Sequence, residues 1–216
     1  MRIAVTSDLH LPLNIKDFYE SLREIDEEID VFVFAGDIID RDNHIYFKKL
    51  FSILNEKFSN FKIISVFGNN ESMQNWEKYK KEYSFMGWLD NDYVIIDDYC
   101  FLGTSGFPDL RKSILYMKKE EILKKLEKCF QEINKKIIFI SHYSFCQKTI
   151  MGDPGIPSAL FSKDLNNLFK TYKNKILFAF HGHAHFAKIW YYKLENTNIY
   201  NVSFYIHKKP LILELK

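Results

Sequence analysis

The chain has 216 residues, of which 47% are hydrophobic and 27% are charged, and its formal net charge is +2. This charge balance argues against a dedicated nucleic-acid-binding protein, and the length suits one domain over residues 1–216. Cys100, Cys129 and Cys146 form no CxxC pair, which argues against a disulfide framework or a zinc knuckle. We expect a cytoplasmic protein, because the sequence shows no signal peptide and no apolar run of the roughly 20 residues that a membrane span needs.

Short β-branched or aromatic runs alternate with amphipathic segments along the chain. Buried strands are predicted at residues 3–6, 31–35, 63–67, 137–140 and 176–180. Helices are predicted at residues 16–29, 44–58, 71–83, 117–134 and 162–172. Residues 93–96, 100–103, 186–194, 199–205 and 211–215 lack helices between them and predict antiparallel strands or hairpins. This order predicts an α/β fold with mixed sheets that are covered by helices.

Each of the five buried strands is followed by a short polar motif. In chain order the motifs are Asp8-Leu9-His10, Gly36-Asp37-Ile38-Ile39-Asp40, Gly68-Asn69-Asn70-Glu71, Ser141-His142 and His181-Gly182-His183-Ala184-His185. Ligands bind at the carboxyl ends of strands in open α/β sheets, so we expect the five motifs to converge at one edge. A single such motif is common by chance, whereas five in this order are specific.

The residue types in these motifs are those of a metal site. Imidazole and carboxylate groups suit borderline divalent cations such as zinc, manganese and iron. Pairs such as Asp8/His10 are expected to project the same way from an extended backbone, and glycines before Asp37, Asn69 and His183 are expected to let the chain turn. Two divalent cations, two aspartates and one hydroxide leave a net positive charge, which would attract a phosphate although arginines are scarce.

The motifs resemble those of the calcineurin-like metallophosphoesterase family, whose pattern is DxH, GDxxD, GNH(D/E), H and GHxH. The resemblance runs from Asp8 to His185 and implies a four-layer α-β-β-α sandwich with two divalent metal ions at one sheet edge. By motif position, it implies one metal held by Asp8, His10, Asp37 and His185 and another held by Asp37, Asn69, His142 and His183. Manganese is the first expectation, with iron, zinc, nickel, cobalt or magnesium as alternatives.

The sequence departs from the family pattern at Asn70, where family members most often carry a histidine that donates a proton to the leaving oxygen or stabilises the transition state. Asparagine donates hydrogen bonds but transfers no proton at neutral pH. We therefore expect aryl esters, diesters with stable leaving groups or pyrophosphate-type linkages as substrates. Asp40 matches the aspartate that lies behind the ligands in the family. His44 is a candidate proton donor, with a surface position at a helix start as the alternative.

Together, these features predict a phosphoesterase acting on a small phosphate ester or nucleotide-like substrate, diesters ahead of monoesters, through a hydroxide that bridges two metals. One alternative is a non-catalytic scaffold of the same fold, which Asn70 favours. Another is a nuclease or protein phosphatase, which would be expected to add a basic groove or phosphate-binding arginines. Residues 146–159 form a Gly- and Pro-containing loop after His142 that is predicted to contact the substrate, with a plain connection as the alternative.

Overall fold

The computed structural model describes residues 1–105 and 118–215. The strands are β1 (Arg2–Thr6), β2 (Val31–Ala35), β3 (Lys62–Val66), β4 (Met86–Trp88), β5 (Asp92–Ile96), β6 (Tyr99–Thr104), β7 (Lys136–Ser141), β8 (Ile176–His181), β9 (Tyr191–Leu194), β10 (Thr197–Asn201) and β11 (Leu211–Glu214). The α-helices are α1 (Ile15–Arg23), α2 (Ile45–Asn55), α3 (Trp76–Glu82), α4 (Lys119–Glu132), α5 (Pro157–Leu160), α6 (Lys163–Tyr172) and α7 (Phe204–His207).

The strands form two sheets, each with a parallel centre. The first sheet has the order β11-β1-β2-β3-β4, and only β11 runs antiparallel to its neighbour. The second has the order β5-β6-β7-β8-β10-β9, with antiparallel pairing at both edges and parallel pairing between. Because β1, β2 and β3 are parallel to one another and β7 is parallel to β8, the carboxyl ends within each set lie on the same edge.

The two sheets pack face to face through an apolar layer. Val5 and Val33 of the first sheet share this cluster with Ile138, Ile140 and Phe180 of the second. Helices cover the outer faces: α1, α2 and α3 pack on the first sheet, and α4 and α6 pack on the second. This gives four layers, α-β-β-α, and confirms the predicted fold class.

Several predicted boundaries were wrong, each for a local reason. The first helix ends at Arg23 rather than at residue 29, although Ile25 and Ile29 stay buried in the loop that continues its apolar spacing. The strand predicted at 186–194 begins only at Tyr191, and the one predicted at 199–205 ends at Asn201, before α7. Strand β4 was missed because three residues around a glycine carry no alternating pattern.

The remaining differences are small. The helix predicted at 71–83 is a 3-10 turn at Met73–Asn75 followed by α3. The helix predicted at 117–134 begins at Lys119, and its residue 117 lies outside the described residues. The three cysteines are buried free thiols. In the part of the chain that the structure describes, no helix has the length and apolar character needed to cross a membrane.

Candidate metal centre

The first set of ligand candidates comes together where β1 and β8 end. Asp8, His10 and His185, here called the Asp8 group, each offer one ligand atom, and these atoms lie within 4.8 Å of one another. His185 Nε2 is 3.2 Å from Asp8 Oδ1 and 3.5 Å from His10 Nε2. The group therefore joins residues from both sheets that are far apart in sequence.

The second set forms where β2, β7 and β8 end. Asp37, His142 and His183, here called the Asp37 group, likewise place one ligand atom each within 4.8 Å of the others. His142 Nε2 lies 3.0 Å from the side-chain oxygen of Asn69, which adds an amide ligand from the loop after β3. The structure thus brings the seven residues predicted as metal ligands into two adjacent sets.

Asp37 lies between the two groups. Its Oδ2 is 3.6 Å from His142 Nε2 in its own group and 3.8 Å from His10 Nε2 in the Asp8 group. A single carboxylate oxygen therefore faces histidines of both groups, which is the position a bridging ligand would need.

Four of the seven ligand candidates do not have an extended backbone, in contrast to the prediction for pairs such as Asp8/His10. Asp8, His10, Asp37 and His183 have positive φ values of 57°, 44°, 50° and 69°. Asp, Asn and His tolerate this left-handed region better than other non-glycine residues. The ligands thus lie on tight turns beyond the strands, and their direction is set by these turns rather than by strand alternation.

Two of the three motif glycines, Gly68 and Gly182, differ from the prediction in their physical role. Gly36 has a positive φ of 84°, as a turn requires. For Gly68 and Gly182 the requirement is space: an added Cβ would lie 2.4 Å from the backbone nitrogen of Asp37 and 2.6 Å from Asp8 Oδ2, respectively. These two glycines allow the ligand loops to touch.

Burial and charge set the protonation of the ligand candidates. Burial lowers the pKa of His183 to about 4, with the neighbouring His142 adding to the effect, and burial likewise lowers the pKa of His10 below its usual 6.5. Burial would raise the pKa of the Asp8 carboxyl, but the hydrogen bond with His185 and the charges of His142 and His185 hold it well below 3.8. For His185, burial lowers the pKa, yet the hydrogen bond and charge of Asp8 outweigh it and raise the pKa.

These protonation states suit a divalent cation. A histidine binds a metal through a neutral ring nitrogen and an aspartate through an ionised carboxylate. His10 and His183 are biased towards the neutral form and Asp8 towards the anion, so burial and pairing already favour the ligand state. Mixed imidazole and carboxylate donors match the preferences of borderline divalent metals.

Glu71 ties two of the ligand loops together. Its buried carboxylate accepts hydrogen bonds from the backbone N–H groups of Asp37 at 3.0 Å, Ile39 at 3.0 Å and Gly68 at 2.7 Å. Burial and the charge of Asp37 raise the pKa of Glu71 to about 8, while the three backbone hydrogen bonds oppose that shift. Glu71 therefore positions the loop after β2 against the loop after β3.

Two supporting side chains were missed by the sequence analysis. Ser7 donates a hydrogen bond from its hydroxyl to Asp8 Oδ2 at 2.6 Å, and the ring of Tyr205 stacks on His185 with centroids 4.5 Å apart and an interplanar angle of 3°. The serine next to the first motif could have been considered. Tyr205, in contrast, comes from α7 after all five motifs, and no pattern in the sequence links it to His185.

The sequence as a whole matches one family, the calcineurin-like phosphoesterases, over residues 1–187. The chain belongs to this family. The match confirms the resemblance found in the motifs, and membership indicates a hydrolase that binds divalent metals.

Solved structures show the same phosphoesterase fold at low sequence identity. One is a phosphopantetheinyl hydrolase (PptH) from Mycobacterium tuberculosis, with a TM-score of 0.64 and 13% identity over 93% of this chain and 88% of that one. Another is GAP50, the anchor in the inner membrane complex of Plasmodium, with a TM-score of 0.60 and 12% identity over 95% of this chain and 72% of that one. No curated protein matched the chain.

This calcineurin-like phosphoesterase has Asn70 directly beside the shared carboxylate. The Asn70 side-chain amide donates to Asp37 Oδ2 at 2.7 Å, and its backbone N–H donates to Asp37 Oδ1 at 2.8 Å. Both hydrogen bonds orient the Asp37 carboxylate, so Asn70 positions one of the ligand candidates.

The two other predicted catalytic residues lie differently. Asp40 pairs with the neighbouring Arg41 at 3.8 Å. His44 lies at the start of α2, where its Nδ1 is 2.6 Å from the hydroxyl of Tyr83 and its ring packs near Tyr79. Neither residue belongs to the two ligand groups found among the residues that the structure describes.

Proposed function

We propose that the protein is a metal-dependent phosphoesterase that hydrolyses small phosphate esters or nucleotide-like substrates, diesters ahead of monoesters. The observation that carries this proposal is the pair of carboxylate–histidine groups that meet at Asp37 Oδ2. Asn69 is exposed, and His183 and His185 are half-buried, so the groups are open to a ligand from solvent.

In this proposal, each group holds one divalent cation. Asp8, His10 and His185 would hold the first, and Asn69, His142 and His183 the second, with Asp37 shared by both. When bound, the two cations would supply Lewis acidity towards the phosphoryl oxygens and would lower the pKa of water, so that a hydroxide nucleophile is available at neutral pH. Burial and pairing already favour the ligand state of Asp8, His10 and His183.

The chain's own residues would orient this centre. Asn70 donates two hydrogen bonds to the Asp37 carboxylate, and Glu71 holds the loop that carries Asp37. Asn70 has no proton to transfer at neutral pH, so the leaving oxygen would depart largely as the anion. Substrates with stable leaving anions are therefore favoured.

The proposal is tested with bis(4-nitrophenyl) phosphate and the manganese-loaded protein. Asp37→Asn and His142→Ala should abolish hydrolysis while the far-UV circular dichroism spectrum stays that of the wild type. Asp17→Asn, an exposed aspartate on α1, is the matched control and should keep full activity. Full activity in Asp37→Asn or His142→Ala would refute the proposal.

The role of Asn70 is tested with a series of phosphate diesters whose leaving groups differ in acidity. Rates should fall steeply as the pKa of the leaving group rises, because no proton is delivered from position 70. Asn70→His should flatten this dependence by helping the poorest leaving groups most, by about 100-fold where proton donation limits the rate. An unchanged slope in Asn70→His would show that position 70 does not govern protonation.

A non-catalytic scaffold is the second candidate, and Asn70 is the observation that favours it. GAP50, which has the same fold, is described as an anchor. A scaffold would retain tightly bound metal but turn over no monoester, diester, nucleotide or pyrophosphate. Metal content measured by plasma mass spectrometry, followed by that substrate panel with manganese, nickel and magnesium, separates the two candidates.

The choice of manganese, the cytoplasmic location and the single domain over residues 1–216 stay predictions from the sequence. The same panel tests the choice of metal.

A further inference from the structure

The segment predicted as a loop at residues 146–159, which in the structure contains a 3-10 turn at Lys148–Ile150 and the start of α5, is bonded to the segment that follows His185. Asp153 Oδ2 accepts a hydrogen bond from the backbone N–H of Phe186 at 2.8 Å, and Asp153 Oδ1 accepts one from the N–H of Gly155 at 2.8 Å. The N–H of Lys188 donates to the carbonyl of Met151, also at 2.8 Å. The two segments therefore form one continuous surface, here called the rim.

The rim is tightly packed underneath. Ile150, Leu160, Ala184 and Ala187 form a small buried apolar cluster between the two segments. Gly152, at a φ of 87°, packs so closely that an added Cβ would lie 2.7 Å from Lys188 Cγ. An apolar cluster underneath, two hydrogen bonds to the Asp153 side chain and one backbone hydrogen bond give this segment a defined conformation, unlike a plain connection.

The rim exposes three large apolar side chains: Met151 is 48% exposed, Ile156 is 69% exposed and Phe186 is 61% exposed. Asp153 ties the last two to each other through the backbone, because its carboxylate accepts the N–H of Phe186 and that of Gly155, the residue before Ile156. Phe186 directly follows His185 of the Asp8 group, and the two ring centroids are 6.2 Å apart. Phe186 thus lies beside the candidate metal centre.

This position decides what the rim can bind. A phosphate ester anchored at the two ligand groups can extend its organic group past the half-buried His185, whose ring lies beside that of Phe186. The Asp153 carboxylate is occupied there by backbone N–H groups. An aromatic ring offers both a face that stacks on Phe186 and an apolar area that Ile156 covers.

We propose that Phe186 and Ile156 form an apolar subsite for the organic group of the phosphate ester, an aromatic ring above all, and that Asp153 is the residue that positions them. The subsite rests on the proposed function, because the metal centre provides the anchor for the phosphate. In this proposal, the rim determines substrate preference and the ligand groups carry out hydrolysis.

Binding of two phosphonates to the manganese-loaded protein tests the subsite without turnover, because their C–P bond is not an ester. Phenylphosphonate should bind about tenfold more tightly than methylphosphonate by titration calorimetry, as expected for one stacked ring. Phe186→Ala should remove most of this preference and Ile156→Ala part of it, with methylphosphonate affinity unchanged. Ile95→Ala, at a half-exposed position on β5, is the matched control and should keep the preference.

The positioning role of Asp153 has its own readout. Asp153→Asn keeps one side-chain oxygen but loses the second, so the amides of Phe186 and Gly155 should exchange faster with deuterium and the phenyl preference should fall. The readout is the ratio of the two phosphonate affinities, because loss of the Asp153 charge, which acts on His185, changes the affinity for both phosphonates alike.

The outcomes separate the two proposals. An unchanged phenyl preference in Phe186→Ala, an equal loss for both phosphonates, or no binding of either phosphonate would overturn the subsite. A protein that keeps the preference but hydrolyses no ester would contradict the proposed function and leave the subsite standing.

Discussion

The two ligand groups hold their central carboxylates by different means. In the Asp8 group, the carboxylate faces His185 at 3.2 Å and is supported by the hydroxyl of Ser7. In the Asp37 group, the nearest donors are the side-chain amide and the backbone N–H of Asn70, at 2.7 and 2.8 Å. Asp8 also accepts the backbone N–H of His183 at 3.1 Å, so both carboxylates are held by neutral donors. The Asp8 group differs because it adds a close partner, His185, whose charge changes with pH.

The largest expected effect comes from removing each carboxylate in turn. Asp37→Asn should lose both bound metals and lower kcat/KM by about 1000-fold or more, because two cations together supply several kcal/mol of transition-state stabilisation. Asp8→Asn should lose the metal of its own group only, leaving one per chain. Plasma mass spectrometry of the loaded variants gives the stoichiometry. Equal metal content in the two variants would contradict the shared position of Asp37.

A smaller effect is expected from the supports behind each carboxylate. Glu71→Ala leaves three buried N–H groups without their acceptor and should lower the free energy of unfolding of the metal-free protein by about 3 kcal/mol or more. Ser7→Ala removes one hydrogen bond and should cost about 1 kcal/mol. Urea denaturation measures both changes. The free energy of unfolding of Glu71→Gln, which keeps one acceptor oxygen, should lie between those of the wild type and Glu71→Ala. Similar losses in Glu71→Ala, Glu71→Gln and Ser7→Ala would show that the backbone hydrogen bonds to Glu71 contribute little.

The most subtle expected difference is in how the two groups titrate without metal. Burial lowers the pKa of His183 to about 4, so its contribution to stability is present above pH 6.5 and is lost as the pH falls from 6.5 through about 4. The pKa of His185 is raised by Asp8, so its contribution is present below pH 6.5 and is lost as the pH rises through that raised pKa. His183 and His185 therefore change the stability of the protein with opposite signs as the pH changes.

Proton NMR of the histidine ring signals checks this in the metal-free protein. His185 should titrate above pH 6.5 and His183 well below it. Asp8→Asn should lower the pKa of His185, since burial is then opposed by less charge. If both histidines titrated together near pH 6.5, the opposite pKa shifts of His183 and His185 would be contradicted.

The sequence predicted the fold class because the five central strands are short, continuous apolar runs. Residues 31–35, for example, are buried along their whole length and coincide with β2. Predictions failed where spacing continued beyond an element, as at Ile25 and Ile29 after α1, or where an element is too short for any pattern, as at β4. The spacing of apolar residues along the sequence therefore predicts long buried elements, but it does not predict the ends of elements, which tertiary packing determines.

For the candidate site, the sequence predicted which residues meet but not how. Asp8, His10, Asp37 and His183 were recognisable as residue types at strand ends, yet their left-handed backbone is set by the turns between sheets and has no signature in a five-residue motif. Asp153 and Tyr205 contact the region around His185 from distant parts of the chain. These contacts join segments that follow the neighbouring strands β7, β8 and β10 of the second sheet, so single motifs cannot reveal them.

The positive φ values of the ligand residues limit how this centre can be redesigned. Aspartate is one of the few residues that enter the left-handed region readily, because its short polar side chain can bond locally. An exchange of Asp8 or Asp37 for glutamate would keep the carboxylate but meet a backbone penalty at φ values of 57° and 50°. Attempts to change metal preference by swapping donors are therefore better directed at His142 or His185, which are not among the ligands with positive φ.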